Sequence, residues 1–138
     1  MSRISRREAR ICAVKVLYGV EFHKDEDMSA LFDMTIDECG LESNDFAKSL
    51  FLGVCEHLDE VDLAISENSK GWKMERIARM SLAIMRVCVY EILFTDVPTA
   101  IAINEAIEID KLYDSDDAPS FINGILNAVA RSKNKDSE

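Results

Sequence analysis

The 138-residue sequence has few of the residues that interrupt helices: two prolines and five glycines. Its four cysteines include no C-x-x-C pair, which indicates buried thiols in a reducing cytosol rather than a disulfide framework or a metal site. Its two histidines, His23 and His57, lack the spacing of a zinc-binding helix. Phosphate-cradling glycine motifs and nucleophile elbows are also missing, so we expect no catalysis, no metal and no cofactor.

Long apolar runs are absent as well. No stretch approaches the ~18 residues of a membrane span, and the charged N-terminus is not followed by the apolar segment of a signal peptide. We therefore expect a soluble, cytoplasmic protein without membrane contact. The length fits a single domain that buries roughly two-thirds of its unfolded surface.

Apolar residues recur every three or four positions along most of the chain, whereas the alternation typical of β-strands is missing. The pattern predicts helices over about 5–23, from Asp27 or Ser29 to a stop at Gly40, over about 46–70, over about 72–94, and from each proline onward. The stretch 82–94 is apolar around much of its circumference, which is typical of a helix at the centre of a bundle. We expect an all-α fold of two packed helical subdomains, about 1–70 and about 71–138, in one domain.

Positive charge is scarce but concentrated. The formal net charge is -10, yet the first twenty residues carry five cations against one acid, Glu8. Because the acidic remainder repels polyanions, any nucleic-acid contact is confined to this patch and the stretch 70–86. A helix that begins near Ser5 gathers several of these cations and one aromatic ring opposite its apolar side. Arg7, Arg10, Lys15 and Tyr18 lie on that side, and Arg3 and Arg6 complete the five cations.

Two predicted helices carry polar residues in apolar surroundings: Asn104 with Glu105, and Asn123 with Gly124. The polar side chains predict a satisfied buried hydrogen-bond network, joined by Arg86 or Glu91, with direct ligand binding as the alternative. A glycine inside a helix costs about 1 kcal/mol relative to alanine, so Gly124 predicts a close approach by another helix or by a ligand.

Four groups of residues together resemble the NusB family of bacterial transcription antitermination factors, in the right order and over nearly the whole chain. They are Arg6-Arg7-Glu8-Ala9-Arg10 with Leu17-Tyr18, then Met85-Arg86 with Tyr90-Glu91, then Pro98 before Ile103-Asn104-Glu105-Ala106, and Phe121-Ile122-Asn123-Gly124-Ile125-Leu126.

The resemblance implies an all-α, non-catalytic protein that pairs with NusE, a ribosomal small-subunit protein. The pair would bind boxA RNA and help RNA polymerase read through terminators, notably in ribosomal RNA operons. Carried over by position, the arginine-rich N-terminus falls on Arg6, Arg7 and Arg10, and the two aromatics fall on Tyr18 and Phe121. Stacking on such rings contributes about 1–3 kcal/mol per base, and Arg3 and Lys15 add phosphate contacts. A homodimer would cover the arginines.

Three alternatives stay open at this point. The first is a protein-protein adaptor that has lost RNA binding. The second is a fragment of an RNA cytosine methyltransferase, some of which carry a NusB-like N-terminal domain. The third is a structural helical bundle with no nucleic-acid partner.

Overall fold

A computed structural model describes residues 4–20, 27–69, 77–113 and 118–136. Within these ranges the chain forms seven α-helices and no strand, which confirms the all-α prediction. The helices are α1 (Arg6–Gly19), α2 (Met28–Cys39), α3 (Asp45–Glu56), α4 (Leu58–Glu67), α5 (Arg79–Phe94), α6 (Thr99–Tyr113) and α7 (Ala118–Asp136).

Local sequence signals set several of the helix ends. The Ser5 hydroxyl accepts a hydrogen bond from the backbone N–H of Glu8, and the Glu8 carboxylate accepts one from the N–H of Ser5, which forms a capping box at α1. Asp27 caps α2, and Gly40 ends it in the left-handed conformation at φ 63°. Pro98 lies just before α6, where its carbonyl accepts the first helical hydrogen bonds.

The helix predicted over 46–70 is two helices, α3 and α4, with a break at His57. The apolar stripe continues in step through the break, from Val54 to Val61 and Ile65, so periodicity does not reveal it. At the break the His57 ring stacks on Phe94 of α5, with ring centroids 3.9 Å apart. The change of direction lets α3 pack against α1 while α4 packs against α7.

Helix α5 is the centre of the bundle, as its apolar circumference predicts. It contacts α1, α3, α4, α7 and α6, and these five contact one another in that order, so that they close a ring around it. Helix α2 packs outside the ring, against α1 and α3. Since α5 touches helices from both halves of the chain, the two predicted subdomains would share one core.

The close helix approach predicted at Gly124 occurs at another glycine. Gly124 is exposed, and a Cβ atom added there meets nothing within 4 Å. At Gly53 of α3 an added Cβ would lie 2.1 Å from Cζ of Tyr90, so the absence of a side chain makes room for that ring. The expected approach of another helix therefore does not occur at Gly124, because helix-interior glycine alone does not show which helix face is covered; the alternative of a ligand at Gly124 stays a prediction.

Candidate nucleic-acid interface

One face of α1 presents a cation-bearing, partly aromatic strip to solvent. Arg7, Lys15 and Tyr18 are all exposed, and successive residues turn by about 100°, which places the three on the side opposite the core. We call these three residues the α1 stripe. The Tyr18 ring is 43% exposed and accessible to a stacking partner. The stripe therefore combines two cationic side chains and one aromatic ring on a single helix face.

Arg10 lies on the other side of α1, within the core. Its side chain is 5% exposed, and its Nε and Nη2 donate to the two carboxylate oxygens of Glu91 at 2.8 and 2.9 Å. These hydrogen bonds raise the pKa of Arg10 above its already high ordinary value. A guanidinium held in this way does not reach an RNA phosphate, so the expectation that Arg10 binds RNA needs correction. Its role here is to join α1 to α5.

A chain of four charged groups connects α1 to α5 and α6. The Arg7 guanidinium donates to Oε2 of Glu105 from Nε at 2.9 Å and from Nη2 at 2.5 Å, and these contacts raise the pKa of Arg7. Oε1 of Glu105 lies 3.6 Å from Nη1 of Arg10, which itself pairs with Glu91. Glu91 and Glu105 thus meet through Arg10, a residue predicted from the sequence to lie at the RNA site and not in the polar network.

The other members predicted for that network lie elsewhere. Arg86 forms a two-pronged ion pair with Asp62 of α4, with both distances 2.8 Å. Asn104 is exposed on α6, and Asn123 is exposed on α7, where its Oδ1 accepts from Asn127 at 2.9 Å. These two amides do not belong to a buried network, because their positions on the helices point them to solvent.

Arg6 is exposed at the start of α1, about 100° around the helix from Arg7 and on the side of α3. Its guanidinium lies over the Phe46 ring of α3, 4.5 Å from the ring centroid, in cation–π contact. Arg6 therefore keeps its charge accessible while its position is fixed. Arg3, the remaining cation predicted to bind RNA, lies outside the described residues.

Arg79, at the start of α5, supports the Tyr18 ring. Its guanidinium lies 5.1 Å from the ring centroid, and its Nη2 donates to the Tyr18 carbonyl at 2.8 Å. The contact occupies one side of the ring and adds a cation at the C-terminal end of the α1 stripe. Sequence reasoning missed this residue, although it falls in the basic stretch 70–86.

Phe121 lies at the same end of the bundle as Tyr18. The Lys133 ammonium donates to the Ile92 carbonyl, so the C-terminal ends of α7 and α5 lie together. With α7 running alongside α5, about 18 Å at 1.5 Å per residue separates Lys133 from Phe121, which brings Phe121 toward the first turn of α5, where Arg79 meets Tyr18. Phe121 is half-buried and packs against the core. Helix α6 separates α7 from α1 in the ring.

The C-terminal end of α6 lies beside the start of α5. The Ser81 hydroxyl donates to Asp110 at 3.2 Å, which places this end of α6 beside the start of α5. Leu112 and Tyr113 follow, 63% and 39% exposed. Three aromatic residues and one leucine thus occupy one end of the bundle, and sequence reasoning found only Tyr18 and Phe121 among them.

A shallow cavity of about 160 Å³ borders the α1 stripe on the side of α2. Its walls are mainly apolar, and its rim carries one cation and two carboxylates. The lining residues are Ile4, Glu8, Ile11, Cys12, Lys15, Leu41 and Glu42. Among the described residues, no group of three or more His, Cys, Asp or Glu side chains is arranged to hold a metal ion. No helix in the same ranges is long and apolar enough to cross a membrane.

Comparison with known proteins gives consistent matches over the whole chain. Residues 7–131 match the model of the NusB family. The transcription antitermination protein NusB of Geobacter sulfurreducens is 40% identical over 130 residues, covering 91% of this chain and 94% of that protein. The structure of NusB from T. maritima superposes with a TM-score of 0.78 at 32% identity, with both chains covered completely. A complex of the antitermination factors NusB and NusE with double-stranded RNA has a TM-score of 0.77 at 24% identity, covering 92% and 96% of the two chains.

Proposed function

This chain belongs to the NusB family, and on that premise we propose that it is an RNA-binding transcription antitermination factor that acts with NusE on boxA-type RNA. In this role it promotes read-through by RNA polymerase, especially in ribosomal RNA operons. We further propose that it works in the cytoplasm and has no catalytic activity of its own. We also propose that contacts with the elongation complex, and the contacts of any homodimer, form around the RNA-binding site on α1.

The α1 stripe is the observation that carries the RNA-binding part of the proposal. Single-stranded RNA is held by cations along its phosphates and by aromatic rings that stack on unpaired bases. Arg7 and Lys15 supply cations and Tyr18 supplies an exposed ring, while Arg6 adds a cation near the start of α1, about 100° around the helix from Arg7. Phe121 lies at the same end of the bundle as Tyr18, so it can extend the stacking surface.

The charge of the rest of the molecule supports a basic protein partner. Residues 21–69 contain fourteen acidic and two basic side chains. Such a surface repels RNA but attracts a basic ribosomal protein such as NusE. A NusE molecule that also touches the RNA would raise the overall affinity by linking two modest sites.

The test is an anisotropy titration of boxA-type RNA with and without NusE, at two salt concentrations. We expect salt-sensitive binding that NusE strengthens. Tyr18→Ala should weaken RNA binding several-fold, whereas Tyr18→Phe, which keeps the ring, should retain most of the wild-type affinity. Lys15→Gln should weaken binding, whereas Lys48→Gln, a matched lysine paired with Asp33 away from the stripe, should not.

Two outcomes would contradict the proposal. RNA affinity unchanged by both Tyr18→Ala and Lys15→Gln would exclude the α1 stripe as the RNA site. NusE binding without any RNA binding, by either the protein or the pair, would identify the chain as a protein-protein adaptor.

A further inference from the structure

The Glu105 carboxylate lies directly against the α1 stripe. It accepts two hydrogen bonds from the Arg7 guanidinium, at 2.9 and 2.5 Å, from its position on α6. The Arg7 side chain is 46% exposed and the Glu105 side chain 15% exposed. The arginine of the stripe is therefore accessible to solvent, but a carboxylate of the same chain already occupies its hydrogen-bonding edge.

We propose that Glu105 competes with RNA phosphate for Arg7, and thereby lowers the affinity of the site for RNA and its dependence on salt. The inference rests on the proposed function and describes regulation of that same site. Carboxylates and phosphates bind the planar guanidinium in the same two-pronged geometry, so both anions use the same N–H groups. RNA gains the contact with Arg7 only by displacing Glu105.

The surroundings of Glu105 make this displacement feasible. Its other oxygen, Oε1, lies 3.6 Å from Nη1 of Arg10, so the carboxylate keeps a counter-charge when Arg7 turns away. Arg10 cannot turn toward the RNA together with Arg7, because Glu91 holds the Arg10 guanidinium by two hydrogen bonds in the core. Arg7 is exposed and needs only a side-chain rotation. The exchange of Glu105 for RNA phosphate at Arg7 thus leaves no buried charge unpaired. An unpaired buried charge would oppose the exchange.

Glu105→Gln tests the proposal, because it removes the competing charge with little change in shape. At low salt we expect RNA affinity to rise about two- to fivefold, the range expected for freeing an exposed ion pair. The slope of log K against log salt should steepen by about 0.7, which corresponds to one more phosphate neutralised on a single strand.

Glu108→Gln is the matched control. Glu108 lies one turn further along α6 and pairs with Lys111 at 3.2 Å, and it acts on Arg7 only through space. Its loss changes the net charge by the same amount without freeing Arg7, so we expect a smaller gain. In an Arg7→Gln background, Glu105→Gln should bring almost no gain, which a double-mutant cycle measures. Urea unfolding of each variant verifies that it is folded.

If the wild type binds RNA and folded Glu105→Gln binds it equally well or more weakly, the inference is overturned while the proposed function stands. Equal gains from Glu105→Gln and Glu108→Gln would also overturn it, since bulk charge would then be the cause. RNA binding by neither the wild type nor Glu105→Gln, with or without NusE, would overturn the inference and the proposed function together. RNA binding by Glu105→Gln alone would support the inference.

Discussion

Replacing Arg10 by methionine should destabilise the protein strongly. The change removes the guanidinium from a buried pair and leaves the Glu91 carboxylate, which is 1% exposed, without its partner. Removing one partner of a buried ion pair typically costs about 3–5 kcal/mol, because the other charge stays desolvated. This is a large part of the roughly 5–15 kcal/mol that stabilises a domain.

Urea unfolding, monitored by circular dichroism, measures this loss in the free energy of unfolding, provided that the slope of the transition stays constant. Arg7→Met is the matched control: it removes the same group from the same helix at an exposed position, and should lower stability far less. The double variant Arg10→Met with Glu91→Met should recover most of the loss, since an apolar pair of similar volume replaces the ionic one.

RNA binding then separates the two arginines. The double variant should keep most of the RNA affinity, because Arg10 does not reach the surface and only the counter-charge that it offers Glu105 is lost. Arg7→Met removes a surface cation and should bind RNA clearly more weakly. The reasoning is refuted if Arg10→Met is as stable as the wild type, or if the folded double variant loses as much RNA affinity as Arg7→Met.

Four further predictions follow from burial and charge. Gly53→Ala should lower the free energy of unfolding, measured in urea, by about 1–3 kcal/mol, because the added Cβ would overlap the Tyr90 ring. Gly124→Ala, at an open position, should raise the free energy of unfolding by up to about 1 kcal/mol. Equal effects of the two substitutions would contradict this reasoning. Cys39 is the exposed thiol among the four, so Cys39→Ser should abolish the fast phase of thiol modification at pH 8; a persisting fast phase would contradict its assignment. Burial raises the pKa of the Cys55 thiol from 9.0 to about 11. The contribution of the neutral thiol to the free energy of unfolding should therefore be complete below about pH 9 and lost as the pH rises through about 11. In urea unfolding, Cys55→Ser should reduce this decline. Three phosphate contacts predict about a 20-fold loss of RNA affinity between about 50 and 200 mM salt, and a far smaller loss in the titration would mean fewer contacts.

Features that depend on neighbouring residues were predictable from the sequence. The capping box at Ser5 and Glu8 and the left-handed Gly40 follow from interactions within one helical turn. The central position of α5 follows from its composition, because a helix apolar on all sides has to be surrounded. The break at His57 was not predictable in this way, since its cause is a ring on a distant helix and the apolar period continues across it.

The placement of Arg10 carried a signal that its charge obscured. Arg10 precedes Ala13, Val14 and Leu17 by three, four and seven positions, which is the spacing of a single helix face, and all three are buried. A guanidinium on that face needs a buried acid, and no local pattern identifies Glu91, 81 residues away, as that acid. The end of the bundle that gathers Tyr18, Tyr113 and Phe121 depends likewise on helix directions that periodicity does not contain.

The ion pairs of α1 also bear on how the protein is made. Arg10 and Glu91 are 81 residues apart, and Arg7 and Glu105 are 98 apart. At about 5–20 residues per second, the ribosome synthesises these arginines roughly 4–20 seconds before their carboxylate partners. During that interval both guanidinium groups lack their native carboxylate partners, and completion of α5 and α6 withdraws one of the two, that of Arg10, into the interior.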